Sequence, residues 1–189
     1  MRRSSVLAAV LLAAGLPPLE AWTRAPTMTF TSARRTFSCD IPWAGWNLFE
    51  EDTPFGSSTH VLGPSEAGGA FRAGLHIHFI DKDRAAFEPL DGFVKRVRQD
   101  ERVSGRTATP IRRWRVAKRS ARRFEVRETR QLPNGHTPSR GRVLHHYYAV
   151  VPAGDGYFVV KLSTTEETYL EHRESYEHLL NTFRILGYE

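Results

Sequence analysis

The chain has 189 residues, a formal net charge of +6 and a single cysteine. That length is typical of one domain, which buries roughly 70 per cent of the surface of its unfolded chain. One cysteine excludes an internal disulfide framework, so the stability of the fold has to come from its hydrophobic core. No segment after the N-terminal region is long and apolar enough to span a membrane.

The first 21 residues have the organisation of a secretory signal peptide. Arg2 and Arg3 precede an apolar run over residues 6–16, and Ala21 offers a small residue for cleavage. This run is too short to cross about 30 Å of hydrocarbon. No cysteine follows it where a lipoprotein would need one. The sequence therefore predicts an exported, soluble protein, periplasmic or secreted, without a lipid anchor, in which residues 22–35 form a linker.

Alternating apolar residues predict strands through the next part of the chain. We expect strands at 36–41, 46–49, 60–62 and 73–81, with residues 50–58 forming a loop. Residues 89–100 change to a helical period, and Pro89 suits the start of that helix. This part of the chain therefore predicts a meander of strands that ends in one short helix.

The rest of the chain predicts more strands and a closing strand and helix. We expect strands at 111–119, 121–132 and 143–151, with a tight turn at Ser120 and a loop over residues 133–141. A closing strand follows at 157–162, with apolar residues on both of its faces. Thr164 and Glu167 have the spacing of a capping box, which predicts that the final helix starts there and runs to Leu186.

This order of elements predicts an α+β fold in which an antiparallel sheet is covered by helices. The apolar residues of the final helix fall on one arc of a helical wheel. They are Tyr169, Tyr176, Leu179, Leu180, Phe183 and Leu186. Such a helix has to dock to be stable, so we expect residues 36–189 to form a single domain.

Two segments resemble a known superfamily. FSCDIPWAGW, from Phe37 to Trp46, is similar to its opening strand, and YEHLLNTFRIL, from Tyr176 to Leu186, is similar to its closing helix. This is the PsbP-like superfamily, which includes extrinsic photosystem II subunits, a Ran-binding nuclear protein and many exported bacterial proteins. The resemblance implies an α/β/α sandwich. The superfamily has no shared catalytic residues, so the resemblance implies no active site.

Histidine is the first candidate for function. His76 and His78 project from one face of a predicted strand, and His145 and His146 lie on a later strand with their rings on opposite faces. Two or three imidazoles with a carboxylate suit zinc or copper. The sequence has no paired metal-ligand motif. Ordinary strand residues on a wet or helix-covered face are therefore the simpler interpretation.

The second candidate is the segment 102–130, which has ten Arg and one Lys against two Glu. On antiparallel strands this excess predicts a cationic face for an anionic macromolecule. Arg112, Arg113 and Arg115 surround Trp114, which suits stacking on a bound group. A solvated outer face is the simpler interpretation of a charge run. Nucleic acid is not an expected partner of an exported protein.

The sequence shows no catalytic pattern. Residues 63–67 (GPSEA) lack the second Gly of a nucleophile elbow. Cys39 lies in a predicted buried strand, where an inert thiol is expected. We therefore predict a non-catalytic exported module, without a cofactor, that binds or assembles with an unknown macromolecule. A periplasmic zinc- or copper-binding protein is the alternative.

Overall fold

Strands dominate the structure, as the alternating pattern of the chain predicts. The computed structural model describes residues 26–133 and 138–187. Its strands are β1 Thr27–Thr31, β2 Phe37–Pro42, β3 Asn47–Thr53, β4 Gly56–Glu66, β5 Phe71–Asp81, β6 Thr107–Ala108, β7 Arg112–Val116, β8 Arg119–Leu132, β9 Arg140–Ala153, β10 Gly156–Thr165 and β11 Arg184–Ile185. Its helices are α1 Leu90–Val97 and α2 Tyr169–Thr182, with a short 3-10 turn at Ala67–Gly69.

The strands form two antiparallel sheets. The larger sheet has the order β3-β4-β5-β10-β9-β8-β6. Strand β7 also pairs with β8, along residues 119–123 at its N-terminal end. The smaller sheet has the order β1-β2-β11. Each of the pairings that the structure describes is antiparallel. The predicted α+β class is confirmed.

Strand β10 lies at the centre of the larger sheet, and its side chains alternate between two apolar layers. Phe158, Val160 and Leu162 enter one layer together with residues of α2 and β2. Tyr157 and Val159 enter the other layer, to which α1 contributes. We call the two sides of the sheet the α2 face and the α1 face.

Helix α2 docks through the arc of residues that the sequence predicts. Tyr176 and Leu180 are buried, and Phe183, directly after the helix, is fully buried. The ring of Phe183 stacks on Phe37 of β2 with centroids 5.3 Å apart, and it meets Phe158 of β10 edge-on at 5.4 Å. Burial of each such side chain contributes about 1.5–3 kcal/mol. Phe183 therefore joins the helix, the small sheet and the large sheet.

The predicted linker at 22–35 contains a strand. Residues Thr27–Thr31 pair along β2, and Met28 and Phe30 pack against the core while the threonines between them are exposed. Threonine is β-branched and suits a strand with one wet face. The polar composition of this segment therefore hid its alternation.

The predicted loop at 50–58 is a hairpin. β3 pairs with β4 from Asn47 to Thr53, and its side chains are almost all exposed because it is an edge strand. Acidic residues on such an edge discourage pairing with another chain. Gly56 is the first residue of β4 after the turn and has a φ of +149°. A Cβ at this position would lie 2.0 Å from the carbonyl oxygen of Phe79, so a side chain would clash there.

The start of α2 also differs from the prediction. Thr164 and Thr165 are still part of β10, and the helix begins only at Tyr169. Thr168, the residue before the helix, makes no side-chain cap. The capping box predicted from Thr164 and Glu167 is therefore wrong, because Thr164 is already used in the sheet.

A buried carboxylate from a distant strand lies at this junction between β10 and α2. Glu66, the last residue of β4, accepts hydrogen bonds from the Thr165 amide at 2.8 Å and from the Thr164 hydroxyl at 3.1 Å. It also accepts one from the Thr168 hydroxyl. His172 Nε2 lies 3.0 Å from the same carboxylate. These contacts join the end of β4 to the end of β10 and to the first turn of α2.

Two other boundaries shift. The hairpin turn between β7 and β8 lies at Ala117 and Lys118 instead of Ser120, and both residues have the positive φ of primed two-residue turns. Helix α2 ends at Thr182, and Arg184–Ile185 then pairs with β2. The predicted signal peptide at 1–21 and residues 134–137 of the predicted loop lie outside the described residues. No helix in the described ranges is long and apolar enough to cross a membrane.

Replacement of Phe183 tests how α2 is held. Phe183→Ala leaves a cavity between Phe37 and Phe158, so we expect a loss of about 3–5 kcal/mol in the free energy of unfolding. Urea denaturation followed by circular dichroism measures this loss. Leu170→Ala is the matched control, because Leu170 lies on α2 with 62% of its surface exposed. A loss below about 1 kcal/mol for Phe183→Ala would contradict the packing described here.

Candidate functional site

The four predicted basic and aromatic residues lie on β7, at the edge of the larger sheet. Together with β8 as far as Arg123 they form what we call the cationic hairpin, residues 112–123. Arg112 pairs with Arg123, and Trp114 pairs with Ala121. Because strand side chains alternate, Arg112 and Trp114 share the face of Arg123, whereas Arg113 and Arg115 lie on the other face.

Arg123 is the partner that Trp114 meets. The guanidinium carbon of Arg123 lies 4.9 Å from the centroid of the Trp114 ring, which is a cation–π contact. The carboxylate of Glu177 on α2 accepts a hydrogen bond from the same guanidinium. Trp114 is nevertheless 48% exposed. The contact therefore holds the indole in place while one side of it stays open to solvent.

A cleft of about 520 Å³ opens beside this contact, between the edge of the sheet and α2. We call it the edge cleft. Its lining includes Arg112, Trp114, Arg123, Tyr147, Arg173, Tyr176 and Glu177. Arg173 lies over the ring of Tyr147 at 5.7 Å and 3.8 Å from the carboxylate of Glu177. The edge cleft thus combines aromatic walls with an excess of guanidinium groups.

The positive charge of the segment is only partly compensated. Arg122 forms an ion pair with Asp91 of α1, and Arg127 forms one with Glu166. By contrast, four cations of the cationic hairpin form no ion pair within the described ranges. They are Arg112, Arg113, Arg115 and Lys118. The uncompensated charge of this segment is therefore concentrated on the hairpin.

A second cleft lies at the C-terminal end of α2. This cleft has a volume of about 730 Å³, and its lining includes four basic residues. They are Arg115, Lys118, Arg119 and Arg184. The predicted set is thus divided: Arg112 and Trp114 line the edge cleft, and Arg115 lines this second cleft. Arg113 lines neither of them.

Sequence reasoning missed Arg123 because it misplaced the hairpin turn. A turn centred on Ser120 would place Arg112 opposite Glu128. The actual turn at Ala117 and Lys118 places Arg112 opposite Arg123. The shift of a few residues therefore changes which side chain faces Trp114 across the strands.

The structure places His76 and His78 of β5 beside a histidine that the sequence did not single out. His60 of β4 lies with its Nδ1 atom 2.8 Å from Nδ1 of His76. The rings of His76 and His78 are parallel, with centroids 6.1 Å apart. Ser58 Oγ lies 2.7 Å from Nδ1 of His78. These three rings form a row on the α1 face.

The other two predicted histidines do not join this row. His146 is on the α1 face, across β10 from β5, where it contacts Ser163 at 2.9 Å and Glu128 at 3.3 Å. His145 is on the α2 face, 2.6 Å from Glu125 and 2.7 Å from Glu166. In the part of the chain that the structure describes, no three His, Cys, Asp or Glu side chains are grouped to hold a metal ion.

Burial makes His76, His78 and His146 poor bases. Burial, together with the nearby charge of Lys161, lowers the pKa of His76 to about 3. Burial also lowers the pKa of His78 and of His146 to about 4. Burial raises the pKa of the Cys39 thiol to about 12, so this thiol stays protonated. At neutral pH these groups are uncharged.

Acid is expected to destabilise the protein from about pH 6.5 downwards. In the unfolded chain a histidine takes up its proton near pH 6.5, whereas folded His76 does so near 3 and His78 near 4. Between these pH values the unfolded state binds more protons than the folded state, so the free energy of unfolding decreases as the pH is lowered. Urea unfolding at about pH 7 and pH 5 measures the loss, and His76→Gln should reduce it. Equal unfolding free energies at the two pH values would contradict this expectation.

The comparisons with known proteins are limited to structure. No family model matches the sequence, and the comparison with curated proteins finds no match. A Pseudomonas aeruginosa protein of unknown function is 14% identical, with a TM-score of 0.46 over 80% of this chain and 91% of that chain. LpqN of Mycobacterium tuberculosis, involved in cell envelope biogenesis, is 14% identical, with a TM-score of 0.48 over 86% of this chain and 91% of its own.

A cyanobacterial PsbP from Synechocystis is 13% identical, with a TM-score of 0.49 over 94% of this chain and 98% of its own. Identities and TM-scores this low transfer no function from these proteins to this chain.

Proposed function

We propose that the protein is an exported, non-catalytic module that binds an acidic segment of another protein along the cationic hairpin and the edge cleft. One observation carries the proposal. Trp114 is exposed yet held in place by Arg123, and Arg112 beside it has no acidic partner within the described residues. An exposed, pre-positioned indole next to a free guanidinium is suited to binding, because Trp and Arg dominate the energy of protein interfaces.

The surface extends along α2. Leu170 is 62% exposed and lines a shallow groove with Arg173, Glu174 and Glu177. Arg173 and Glu177 also line the edge cleft, so the two features are continuous. Trp114 and Leu170 therefore provide apolar contacts at the two ends of one surface.

The mixture of charges favours a polypeptide over a polyanion. Glu177 and Glu125 line the edge cleft beside the arginines. A uniform polyanion would be repelled by these carboxylates, whereas a segment that carries both acidic and apolar residues could avoid them. The charges of such an interface mainly set its specificity and its rate of association.

The same surface supports a binding role over catalysis. Burial raises the pKa of Tyr147 to about 12, so its hydroxyl stays protonated. Arg123 and Arg173 are both within ion-pair distance of Glu177.

For the fold itself we propose an α/β/α sandwich of the PsbP-like type, because α1 and α2 pack on opposite faces of the larger sheet.

Binding of an acidic peptide tests the proposal. A fluorescently labelled peptide of Asp, Glu and Phe should bind with an affinity that falls as salt rises from about 50 to 200 mM, because salt screens exposed charges. The triple variant Arg112→Ala, Arg113→Ala, Arg115→Ala and the single variant Trp114→Ala should each weaken binding about tenfold or more. Fluorescence anisotropy measures both effects.

A charge-matched triple variant provides the control. Arg72, Arg102 and Arg140 are exposed arginines outside the cationic hairpin, so their replacement by Ala removes the same charge from elsewhere. An equal loss of binding in this control would show a general effect of net charge and would overturn the proposal. Tighter binding of anionic phospholipid vesicles than of the peptide would replace the protein partner with a lipid surface.

A further inference from the structure

A lysine lies inside the larger sheet, on the face opposite the edge cleft. Lys161 is the one charged residue of β10. Its strand neighbours in register are His76 on β5 and Tyr148 on β9, and all three are on the α1 face. The sequence shows Lys161 only as one polar residue within an alternating apolar strand.

Lys161 lines a cavity of about 350 Å³ beneath α1. This size is at the lower end of the range of about 300–1,000 Å³ for small-molecule sites. The walls are largely apolar and aromatic and include Phe55, Phe93, Tyr157 and Val159. The cavity therefore has the shape and surface of a site for a small molecule with an apolar body.

The amine of Lys161 has no hydrogen bond or ion pair within the described part of the chain. The amine lies over the ring of Tyr148, with Nζ 5.6 Å from the ring centroid. Burial, together with the charges of Arg130 and Arg106 and against the opposing effect of Glu128, lowers the pKa of this amine to about 8. Lys161 is half-buried, and a charge that is partly removed from water is normally paired, because an unpaired one is costly.

The surrounding charges leave an excess of positive charge. Arg106 also lines the cavity, and its Nε is buried without a hydrogen-bond partner, although its Nη2 donates to the Val97 carbonyl at 2.9 Å. The carboxylate of Glu128 is engaged by Arg130 at 2.6 Å, by His146 at 3.3 Å and, at the longer distance of 3.7 Å, by Nε of Arg106. At the other side of the cavity Glu88 is paired with Arg96 at 2.7 Å.

From this arrangement we propose that the cavity binds a small organic carboxylate. The carboxylate pairs with the Lys161 amine and with the guanidinium of Arg106, and the apolar body lies against Phe55 and Phe93. A ligand of this kind provides the acceptor that Lys161 lacks among the described residues, and it adds a closer partner for Arg106, whose Nε lies 3.7 Å from Glu128. The cavity and the cationic hairpin are separate sites, so this proposal does not depend on the proposed function.

The test uses 1-naphthoate and its neutral analogue 1-naphthamide. Isothermal titration calorimetry at about pH 7 should show naphthoate binding to the full chain and the amide binding about tenfold or more weakly. Lys161→Met keeps the length of the side chain without its charge, and it should weaken naphthoate binding about tenfold or more. Lys118→Met is the control, because Lys118 is a solvent-exposed lysine of the hairpin turn. It should leave naphthoate binding unchanged.

A second measurement follows the amine of Lys161 in the wild-type protein. The chain has four lysines, so the ¹³Cε resonance of Lys161 can be assigned in lysine-labelled protein by comparison with Lys161→Met. Saturating naphthoate should raise the midpoint of the Lys161 titration, because a nearby carboxylate favours the charged amine. The groups around this amine in the native protein are Arg106, Glu128, Arg130, His76, His146 and Tyr148.

Four outcomes would overturn the proposal. One is the absence of naphthoate binding below about 10 mM. The second is equal binding of naphthoate to the wild type and to Lys161→Met. The third is equal binding of naphthoate and naphthamide to the wild type. The fourth is an unchanged Lys161 titration in the presence of naphthoate. Loss of acidic-peptide binding without loss of naphthoate binding would concern the cationic hairpin alone.

Discussion

The buried carboxylate of Glu66 is the contact on which the placement of α2 depends. Burial by itself would raise its pKa, but the groups that contact it, His172, Thr168 and Thr165, reverse the effect and lower the pKa to about 2. The carboxylate is therefore charged at neutral pH in an almost fully enclosed position. Such a charge is stable only when several donors surround it. The three segments that supply these donors are thereby held in one arrangement.

The position of α2 in turn decides where binding surfaces can form. On the α2 face, Tyr176 and Phe183 close the core, and the edge cleft opens beside β7. On the α1 face, the shorter helix α1 leaves a cavity in which Lys161 meets no acceptor from residues 26–133 or 138–187. The two candidate sites thus lie on opposite sides of one sheet. Each contains a cation that forms no ion pair with an acid in these ranges.

The sequence predicted the buried side chains correctly where burial follows from the local periodicity of a strand or helix. The alternation in β5 and β10 predicted which apolar residues share a face, and the wheel of α2 predicted the buried positions of Tyr176 and Leu180. Failures occurred where a distant residue decides the local structure. Thr164 was expected to cap a helix, yet it is buried in β10 and donates to Glu66, 98 positions away in the chain.

The sequence by itself determined the class of fold, the buried faces of strands and helices, and the concentration of Arg around Trp114, because periodicity and composition are local properties. Only the tertiary structure decided which of those cations are paired. Arg122 finds Asp91, and Arg123 finds Glu177 on α2, while Arg112 finds no acid among the described residues. Strand register, turn position and helix docking decide which of these ion pairs form. All three depend on contacts between residues far apart in the chain, and a local sequence pattern carries no information about such contacts.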